Sequence, residues 1–398
     1  MLDILMLTPW FPNRPDGWPA RYISDSALAL VYEGHRVRVG VMRGYAPPFF
    51  REFASPEHRG TIELHRFDGI ESIREHRYPT LPRGLLRTLT NRSLDRAIDR
   101  MVEGFLSERR PDMVLVHTEG LAPGLMSIAQ REALPFIVVL HGQNTNTAYL
   151  TKGGQADRFR KSLSAADQLV IVGEPLRSYA EQLSGRTDAI ETVWNGVYPP
   201  NAMRNHPMPD VAPVELIAVA NLQEGKGVDL LLDGLQRLFA QGVVNWRLRI
   251  IGDGPWRDLL QAKSAAGGLG DLVRFLGIRT NSQVFEELAQ ADVFVLPSYR
   301  EAFGVVYLEA MSTGLLTIGV EGEGPSQFIE HDVNGLLVAP QSVESIVQTL
   351  CSIVQGPRER WRAIAAAGAS HARNNCTWKS HAEKMTEVIE EAIARKAK

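Results

Sequence analysis

Residues 292–304 read DVFVLPSYREAFG, and residues 305–312 continue as VVYLEAMS. A short apolar run ends at Pro297, a polar loop follows, and Gly304 opens a segment with helical spacing that carries Glu309 on its second turn. This pattern predicts the end of a buried parallel strand, a loop and the N-terminus of a helix. In open α/β sheets, ligands bind outside the carboxyl ends of the strands, where backbone N–H groups and the helix dipole favour phosphate.

Two carboxylates, Glu301 and Glu309, flank this predicted phosphate site. A carboxylate does not hold a phosphate, but it accepts hydrogen bonds from hydroxyl groups. The pair therefore predicts a ligand made of sugar, ribose and diphosphate. The alternative interpretation is an exposed glutamate in the first turn and a solvated glutamate on the helix.

The composition predicts two domains and a small-molecule partner. The chain has 398 residues and is 44% hydrophobic, which is too long for one ordinary core. A formal net charge of −3 gives no general attraction to nucleic acid. The only cysteines, Cys351 and Cys376, provide neither a disulfide framework nor a cysteine-based metal site. We therefore expect a cytoplasmic protein, and no stretch reaches the roughly 20 apolar residues that span a bilayer.

Apolar runs alternate with helical patterns along the chain. Runs without polar alternation are typical of strands buried on both faces. They lie at residues 4–7, 37–42, 62–65, 113–116, 136–140 and 169–172 in the first half, and at 216–220, 248–251, 273–276, 293–296 and 316–320 in the second. The alternation predicts an α/β fold of two doubly wound, Rossmann-like domains, with a boundary in the proline-rich stretch 195–213.

Two motifs of the first half follow predicted strands. Gly17 lies in PWFPNRPDGW (residues 9–18), where a glycine lets backbone N–H groups approach a phosphate, although glycine also simply permits a tight turn. His141 lies in LHGQN (residues 140–144), at the carboxyl end of a strand. A histidine there is a candidate for ligand contact, and the alternative is a structural histidine.

In the second half, Lys226 lies between two glycines in NLQEGKGVD (residues 221–229), just before a predicted helix. A lysine there suits a diphosphate because its charge adds to the helix N-terminus, and the alternative is a solvated loop lysine. The segment GDGP (residues 252–255) lacks the third glycine of the dinucleotide fingerprint. We therefore expect Asp253 to cap a helix, and a nicotinamide oxidoreductase is disfavoured.

These motifs, in this order, resemble the retaining GT-B glycosyltransferases of the group 1 type (family 4). The pattern Pro-Ser-x-x-Glu-x-Phe-Gly-x-x-x-x-Glu-Ala-Met at residues 297–311 carries the similarity, which extends to Asn-Gly-Val at 195–197 and Asn-Gly-Leu-Leu at 334–337. The resemblance implies two Rossmann-like domains that face a central cleft. We expect an acceptor-side domain at residues 1–198, a nucleotide-sugar domain at 199–375 and a helix at 376–398 that packs back on the first domain.

The resemblance also implies roles for individual residues. Glu301 would contact the donor sugar, Glu309 the ribose and Lys226 the diphosphate, and His141 would reach the transferred sugar. Main-chain groups would contact the phosphates or the base. The residues predicted to bind the donor are Gly17, Asn221, Lys226, Ile278, Glu301, Phe303, Gly304, Val305 and Glu309, and those predicted to be catalytic are Glu301, His141 and Lys226. Asn221 stands where many relatives have arginine, so it supplies no charge.

The activity implied is retaining, metal-independent transfer of a hexosyl group from a UDP- or GDP-sugar to a hydroxyl acceptor, without a cofactor. The acceptor would belong to a cell-surface polysaccharide or glycolipid. Alternatives on the same architecture are a nucleotide-sugar epimerase, a phosphorylase, or a non-catalytic subunit that binds a nucleotide sugar.

A basic segment suggests where the acceptor binds. Seven arginines lie between Arg74 and Arg100, against three acidic residues, and they flank leucines. Such a segment can lie on an anionic membrane surface, which would suit a lipid-linked acceptor. The alternative is a surface helix with a solvated arginine face.

Overall fold

The computed structural model describes residues 1–13, 20–47, 66–80, 87–142, 154–198, 200, 208–210 and 213–396. The chain divides into two compact units. Unit 1 comprises Met1–Val172, Leu176–Trp194 and Trp378–Lys398, and unit 2 comprises Gly173–Pro175 and Asn195–Thr377.

Unit 1 is built on a seven-stranded parallel sheet. The strand order is β3-β2-β1-β4-β5-β6-β7. The strands are β1 (Asp3–Thr8), β2 (Arg36–Tyr45), β3 (Ser72–Pro79), β4 (Met113–His117), β5 (Phe136–Leu140), β6 (Gln168–Ile171) and β7 (Ile190–Thr192). The helices between them are α1 (Arg21–Tyr32), α2 (Arg87–Leu106), α3 (Ala122–Arg131), α4 (Gly154–Ser164) and α5 (Arg177–Ser184).

Unit 2 contains a six-stranded parallel sheet in the order β10-β9-β8-β11-β12-β13. Its strands are β8 (Val214–Val219), β9 (Trp246–Ile251), β10 (Val273–Gly277), β11 (Val293–Val295), β12 (Leu316–Val320) and β13 (Leu336–Val338). Its helices are α6 (Val228–Ala240), α7 (Arg257–Ala266), α8 (Asn281–Ala289), α9 (Val305–Thr313), α10 (Val343–Gln355) and α11 (Arg358–Asn375).

The last helix, α12 (Trp378–Lys396), belongs to unit 1 and packs against α1. Two hydrogen bonds join it to the N-terminal part of the unit, His381 to Ser26 at 2.7 Å and Thr386 to His35 at 2.9 Å. Its apolar face is buried at Ala382, Met385, Val388, Ile389 and Ala392. The end of the chain is therefore part of the core of unit 1.

The central strands are buried along their whole length. All residues of β1, β4, β5 and β12 are buried, which agrees with their apolar composition and requires cover on both faces of each sheet. The edge strand β3 differs, because it is half-exposed throughout and carries charged residues. The basic segment is therefore divided between this strand, with Arg74 and Arg77, and α2.

Both sheets reverse their strand order once, between β1 and β4 in unit 1 and between β8 and β11 in unit 2. Ligands of doubly wound sheets bind at such reversals, outside the carboxyl ends of the strands. The loops that follow these four strands are therefore where a site is expected in each unit.

The two parallel sheets confirm the predicted α/β class. The strand predicted at residues 62–65 lies outside the described residues, as do Arg83 and the side chain of Arg87 in the basic segment. Strands β3, β7 and β13 were not predicted. In the described part of the chain, no helix is long and apolar enough to cross a bilayer.

Candidate active site

The loops after β8 and β11 pack against each other at the carboxyl edge of the unit 2 sheet. The Gly225 carbonyl accepts hydrogen bonds from the Tyr299 N–H at 2.9 Å and from the Ser298 hydroxyl at 3.1 Å. Gly227 has a φ of +69°, and a Cβ at this position would lie 1.9 Å from the carbonyl oxygen of Pro297. The close approach of the two loops therefore requires glycine at residue 227.

This contact places Lys226 beside Glu301. The Lys226 Nζ donates a hydrogen bond to Glu301 Oε2 at 2.9 Å, and the two side chains are 21% and 13% exposed. Attraction between two charges increases as solvent is excluded, so this pair is stronger than a surface salt bridge. A phosphate that binds Lys226 would share the ammonium group with Glu301.

A third charged residue in this cluster, Glu323, was missed by the sequence analysis. Its Oε2 accepts the N–H of Glu301 at 2.8 Å, and the N–H of Gly324 donates to the Glu301 carbonyl at 2.8 Å. Burial raises the pKa of Glu323, opposed by the hydrogen bond from the Glu301 N–H. Its position just after the predicted strand 316–320 was the available signal, because parallel strands end at the same edge of a sheet.

The N-terminus of α9 lies directly after this cluster. Its N-cap is Gly304, with a φ of 89°, which has no side chain to accept the first N–H groups of the helix. These groups, which begin at Val305, and the helix dipole are suited to an anion. Phe303 is 2% exposed and packs on Phe328 with 5.3 Å between ring centroids, so its ring belongs to the core. Only its main chain can contact a ligand.

Glu309 lies one turn further along α9, beside the start of α8. Its Oε1 accepts a hydrogen bond from the Asn281 amide at 3.3 Å. Ile278, shortly before α8, is 56% exposed. Asn221 is also exposed, at the end of β8, and its amide donates to Gln223 at 3.3 Å. Unit 2 thus presents the predicted donor residues on the loops after β8, β10 and β11 and on α9.

Unit 1 has a separate polar cluster at the carboxyl ends of β4 and β5. His117 ends β4, His141 follows β5, and the His117 Nδ1 lies 2.9 Å from the His141 Nε2. Burial lowers the pKa of His117 well below its usual value and lowers that of His141 to about 3. Both rings are therefore neutral at physiological pH. The sequence motifs predict His141 as a site residue but give no signal for His117.

The residues after His117 add a strained turn to this cluster. Thr118 has a φ of 95°, which β-branched residues rarely adopt, and its hydroxyl accepts the Gly120 N–H at 3.2 Å. Glu119 is 5% exposed and accepts a hydrogen bond from the Tyr179 hydroxyl at 3.2 Å. Backbone strain of this kind clusters at functional sites, which supports a role for the turn after β4.

A further buried histidine, His381 on α12, lies in unit 1. Its Nδ1 lies 2.7 Å from the Trp194 carbonyl oxygen, and its Nε2 lies 2.7 Å from the Ser26 hydroxyl. A carbonyl only accepts, so Nδ1 carries the proton and Nε2 accepts from the serine in the neutral ring. Burial lowers the pKa of His381 to about 4, opposed by the bond to Trp194.

Gly17 lies outside the described residues. Among the residues that are described, no group of three or more His, Cys, Asp or Glu side chains lies close enough together to hold a metal ion.

Two family models match the chain, one for each half. The model for 4-like glycosyl transferase domains matches residues 19–196, and the model for group 1 glycosyl transferases matches residues 203–369. The amylovoran biosynthesis glycosyltransferase AmsK of Erwinia amylovora is 31% identical over 163 residues, which are 39% of this chain and 40% of AmsK. Matches to several curated relatives cover only 24–40% of the relative's length.

Solved structures resemble the whole chain. The crystal structure of HepE from Anabaena, in complex with UDP and glucose, superimposes with a TM-score of 0.69, covers 98% of this chain and 100% of HepE, and is 17% identical. Sucrose-phosphate synthase from Thermosynechococcus elongatus gives a TM-score of 0.72 at 17% identity, with 99% and 100% of the two chains covered. The chain therefore has the GT-B fold.

The pKa of His381 predicts a pH-dependent stability. The folded pKa of about 4 is below the usual 6.5, so unfolded chains bind more protons between these values. The stability from the neutral ring is complete above pH 6.5 and is lost as the pH falls toward 4. We expect the difference in unfolding free energy between the wild type and His381→Gln to shrink from pH 7 to pH 5, by up to about 1.4 kcal/mol per pH unit.

Urea unfolding at several pH values measures this difference. Asp25, whose pKa burial raises to about 6, is present in both proteins and cancels. The exposed His331, changed to Gln, controls for the loss of a histidine. A difference that stays constant from pH 7 to pH 5 would contradict the prediction.

Proposed function

The chain belongs to the group 1 glycosyltransferases, and we propose that it transfers a hexosyl group from a nucleoside diphosphate sugar to a hydroxyl acceptor with retention of configuration. The observation that carries the proposal is the arrangement in unit 2 of one lysine, one helix N-terminus and two glutamates around the reversal of strand order. The lysine and the helix N-terminus suit a diphosphate. The two glutamates can accept hydrogen bonds from the hydroxyl groups of a sugar and a ribose.

The phosphates of the donor bind at Lys226 and at the N–H groups that begin α9. The ammonium group supplies the positive charge and the helix supplies oriented N–H donors, with main-chain groups of Phe303, Gly304 and Val305 at the contact. Asn221 contributes a neutral amide. These assignments leave Lys226 as the principal charge on the leaving group.

The two glutamates recognise different parts of the donor. Glu301 adjoins Lys226 and accepts hydrogen bonds from the transferred sugar. Glu309, one turn further along the helix, accepts hydrogen bonds from the ribose, and main-chain groups at Ile278 meet the base. The HepE structures contain UDP with glucose or UDP-glucose, which supports a UDP-sugar here, and a GDP-sugar is the alternative donor.

Transfer takes place on one face of the sugar. The bond from the anomeric carbon to the phosphate oxygen breaks, the bond to the acceptor oxygen forms, and the acceptor proton passes to the departing diphosphate. Lys226 and the amides of α9 stabilise the charge that develops on that leaving group. No covalent enzyme intermediate is required.

The acceptor belongs to a cell-surface polysaccharide or glycolipid, and the protein acts in the cytoplasm. AmsK, named for amylovoran biosynthesis, supports this class of product.

Arg92, Arg96 and Arg100 are exposed and four residues apart on α2, which suits contact with an anionic membrane that presents a lipid-linked acceptor. Flotation with anionic vesicles at low salt tests this contact, and it should be lost in Arg92→Glu with Arg96→Glu.

Donor binding depends on Lys226. We expect one of the UDP-, GDP-, ADP- or TDP-sugars to raise the thermal unfolding temperature, since a ligand at 100 times its Kd adds about 2.7 kcal/mol. Lys226→Ala should weaken that binding about ten- to a hundredfold, because a charge-assisted contact contributes roughly 1.5–3 kcal/mol. Titration of both proteins with the sugar that binds measures the effect.

The matched control is Lys263→Ala. Lys263 pairs with Asp233 at 2.7 Å on the same unit but outside the site, with its side chain 31% exposed. Its loss should leave the donor Kd unchanged. Equal affinity of Lys226→Ala and the wild type would remove Lys226 from the site, and the absence of binding by every nucleotide sugar would reject the proposed donor.

The two glutamates should affect different kinetic constants. Glu301→Gln should mainly lower kcat, because Glu301 contacts the reacting sugar. The substitution also removes the ion pair with Lys226, so the donor KM should not rise. Glu309→Gln should raise the donor KM with little change in kcat, because ribose binding is the same in the ground state and the transition state. Steady-state kinetics at varied donor concentration measures both constants. A raised donor KM in Glu301→Gln with a lowered kcat in Glu309→Gln would mean that the two roles are reversed.

We also propose that transfer needs no metal ion. Lys226 and the α9 dipole neutralise the diphosphate in place of a divalent cation. Product formation should therefore continue at the same rate in excess EDTA. Complete loss of transfer that Mg²⁺ or Mn²⁺ restores would overturn this part of the proposal.

A further inference from the structure

The loop after β12 in unit 2 holds the main chain of Glu301 from both sides. The Glu301 N–H donates to the Glu323 Oε2 at 2.8 Å, and the Glu301 carbonyl accepts the Gly324 N–H at 2.8 Å. The two peptide groups that flank the Glu301 Cα are therefore bonded to adjacent residues of one loop. A change at either bond acts on the residue that carries the carboxylate.

The two loops approach this closely because Gly324 has no side chain. A Cβ at residue 324 would lie 2.5 Å from both the Phe303 nitrogen and the Phe303 Cα, and 2.7 Å from the Ala302 carbonyl carbon. These are main-chain atoms, which cannot move aside as the end of a flexible side chain does. The loop after β12 is therefore packed directly on the residues that lead into α9.

Glu323 is itself held by a turn. Its carbonyl accepts the Ser326 N–H at 2.9 Å and the Ser326 hydroxyl at 2.7 Å, and it directly precedes the short 3₁₀ helix Gly324–Gln327. The carboxylate of Glu323 thus extends from a main chain that is already ordered. Its bond to the Glu301 N–H costs less conformational entropy than a bond from a residue in a mobile loop.

The main chain of Glu301 determines where its carboxylate lies. The Glu301 Oε2 accepts a hydrogen bond from the Lys226 Nζ at 2.9 Å. A Cβ at Gly304 would lie 3.2 Å from the Glu301 Cγ, so the side chain of Glu301 lies against the start of α9. The Glu301 charge raises the pKa of Glu323 and the Lys226 charge lowers it, so the three charged groups interact.

We propose that Glu323 is a positioning residue for Glu301, whose N–H it binds so that the Glu301 carboxylate is held where the transferred sugar binds. The inference rests on the contact between Glu301 and that sugar in the proposed function. It assigns Glu323 no contact of its own with donor or acceptor. The hydrogen bond, rather than the negative charge, is the contribution of Glu323.

Three substitutions at residue 323 separate the hydrogen bond from the charge. Glu323→Gln retains an acceptor oxygen and removes the charge, Glu323→Asp retains the charge but is one methylene group too short to reach the N–H, and Glu323→Ala removes both. We expect Asp and Ala to lower kcat by about ten- to a hundredfold without raising the donor KM, because a small displacement of a group that contacts the reacting sugar is costly. Gln should keep most of the wild-type kcat.

The matched control is Glu321→Gln. Glu321 is exposed and lies two residues before Glu323 in the same loop. Its substitution removes one negative charge near the site without removing the bond to the Glu301 N–H. Both kcat and the donor KM should stay at the wild-type values.

Hydrogen exchange of the Glu301 amide measures the bond directly and needs no substrate. In protein with ¹⁵N-labelled glutamate, ¹H–¹⁵N spectra follow the exchange of each glutamate amide, and Glu301→Gln assigns the signal. We expect this amide to exchange about ten- to a hundredfold faster in the Asp and Ala variants than in the wild type, because a hydrogen bond to a charged group is lost. The Gln variant should lie closer to the wild type than to Ala. Thermal unfolding temperatures are the control for folding.

Three results would overturn the inference. The first is a wild-type kcat in Glu323→Ala, and the second is a Glu301 amide that exchanges as slowly in Ala as in the wild type. The third is a wild-type kcat in Asp together with a Gln variant as slow as Ala, which would assign the effect to charge.

Failure of the proposed function gives a different result. If the wild type transfers no sugar from any nucleotide sugar, the role of Glu301 in transfer is rejected. The exchange measurement still decides whether Glu323 holds the Glu301 main chain.

Discussion

The close approach of the loops after β8 and β11 is the constraint on which the unit 2 cluster depends. Because Gly227 lacks a Cβ, its main chain lies against the Pro297 carbonyl, and the preceding residue, Lys226, reaches Glu301. The loop after β11 ends at Gly304, the N-cap of α9. A lysine, a carboxylate and a helix N-terminus are thus assembled by main-chain packing rather than by the side chains themselves.

The charges in this cluster do not balance. Lys226 lies among Glu301 and Glu323, and Asn221 supplies no second cation. A diphosphate would enter a site that already contains two carboxylates, so the N–H groups of α9 have to supply much of the stabilisation. The hydrogen bond from the Glu301 N–H stabilises the charged Glu323 and so opposes part of the cost of its burial.

The polar cluster of unit 1 works by a different principle. Its histidines are neutral, so they contact their neighbours through N–H groups and lone pairs rather than through charge. His381 is fixed by a carbonyl and a hydroxyl, and His141 by a second histidine. A charged cluster in unit 2 and a cluster of neutral rings in unit 1 are therefore built on the same strand-end geometry in two similar sheets.

The apolar runs determined the α/β class, because strands buried on both faces have no polar alternation. Local motifs identified Lys226, Glu301 and His141. The half-exposed, charged strand β3 escaped prediction, since an edge strand need not be apolar. Glu323 and His117 also escaped, because each meets its partner across a neighbouring strand rather than within one motif, 22 and 24 residues away. The sequence thus determined the fold and the strand ends where chemistry is expected, but only the tertiary structure decided which side chains meet there, since those contacts depend on strand order.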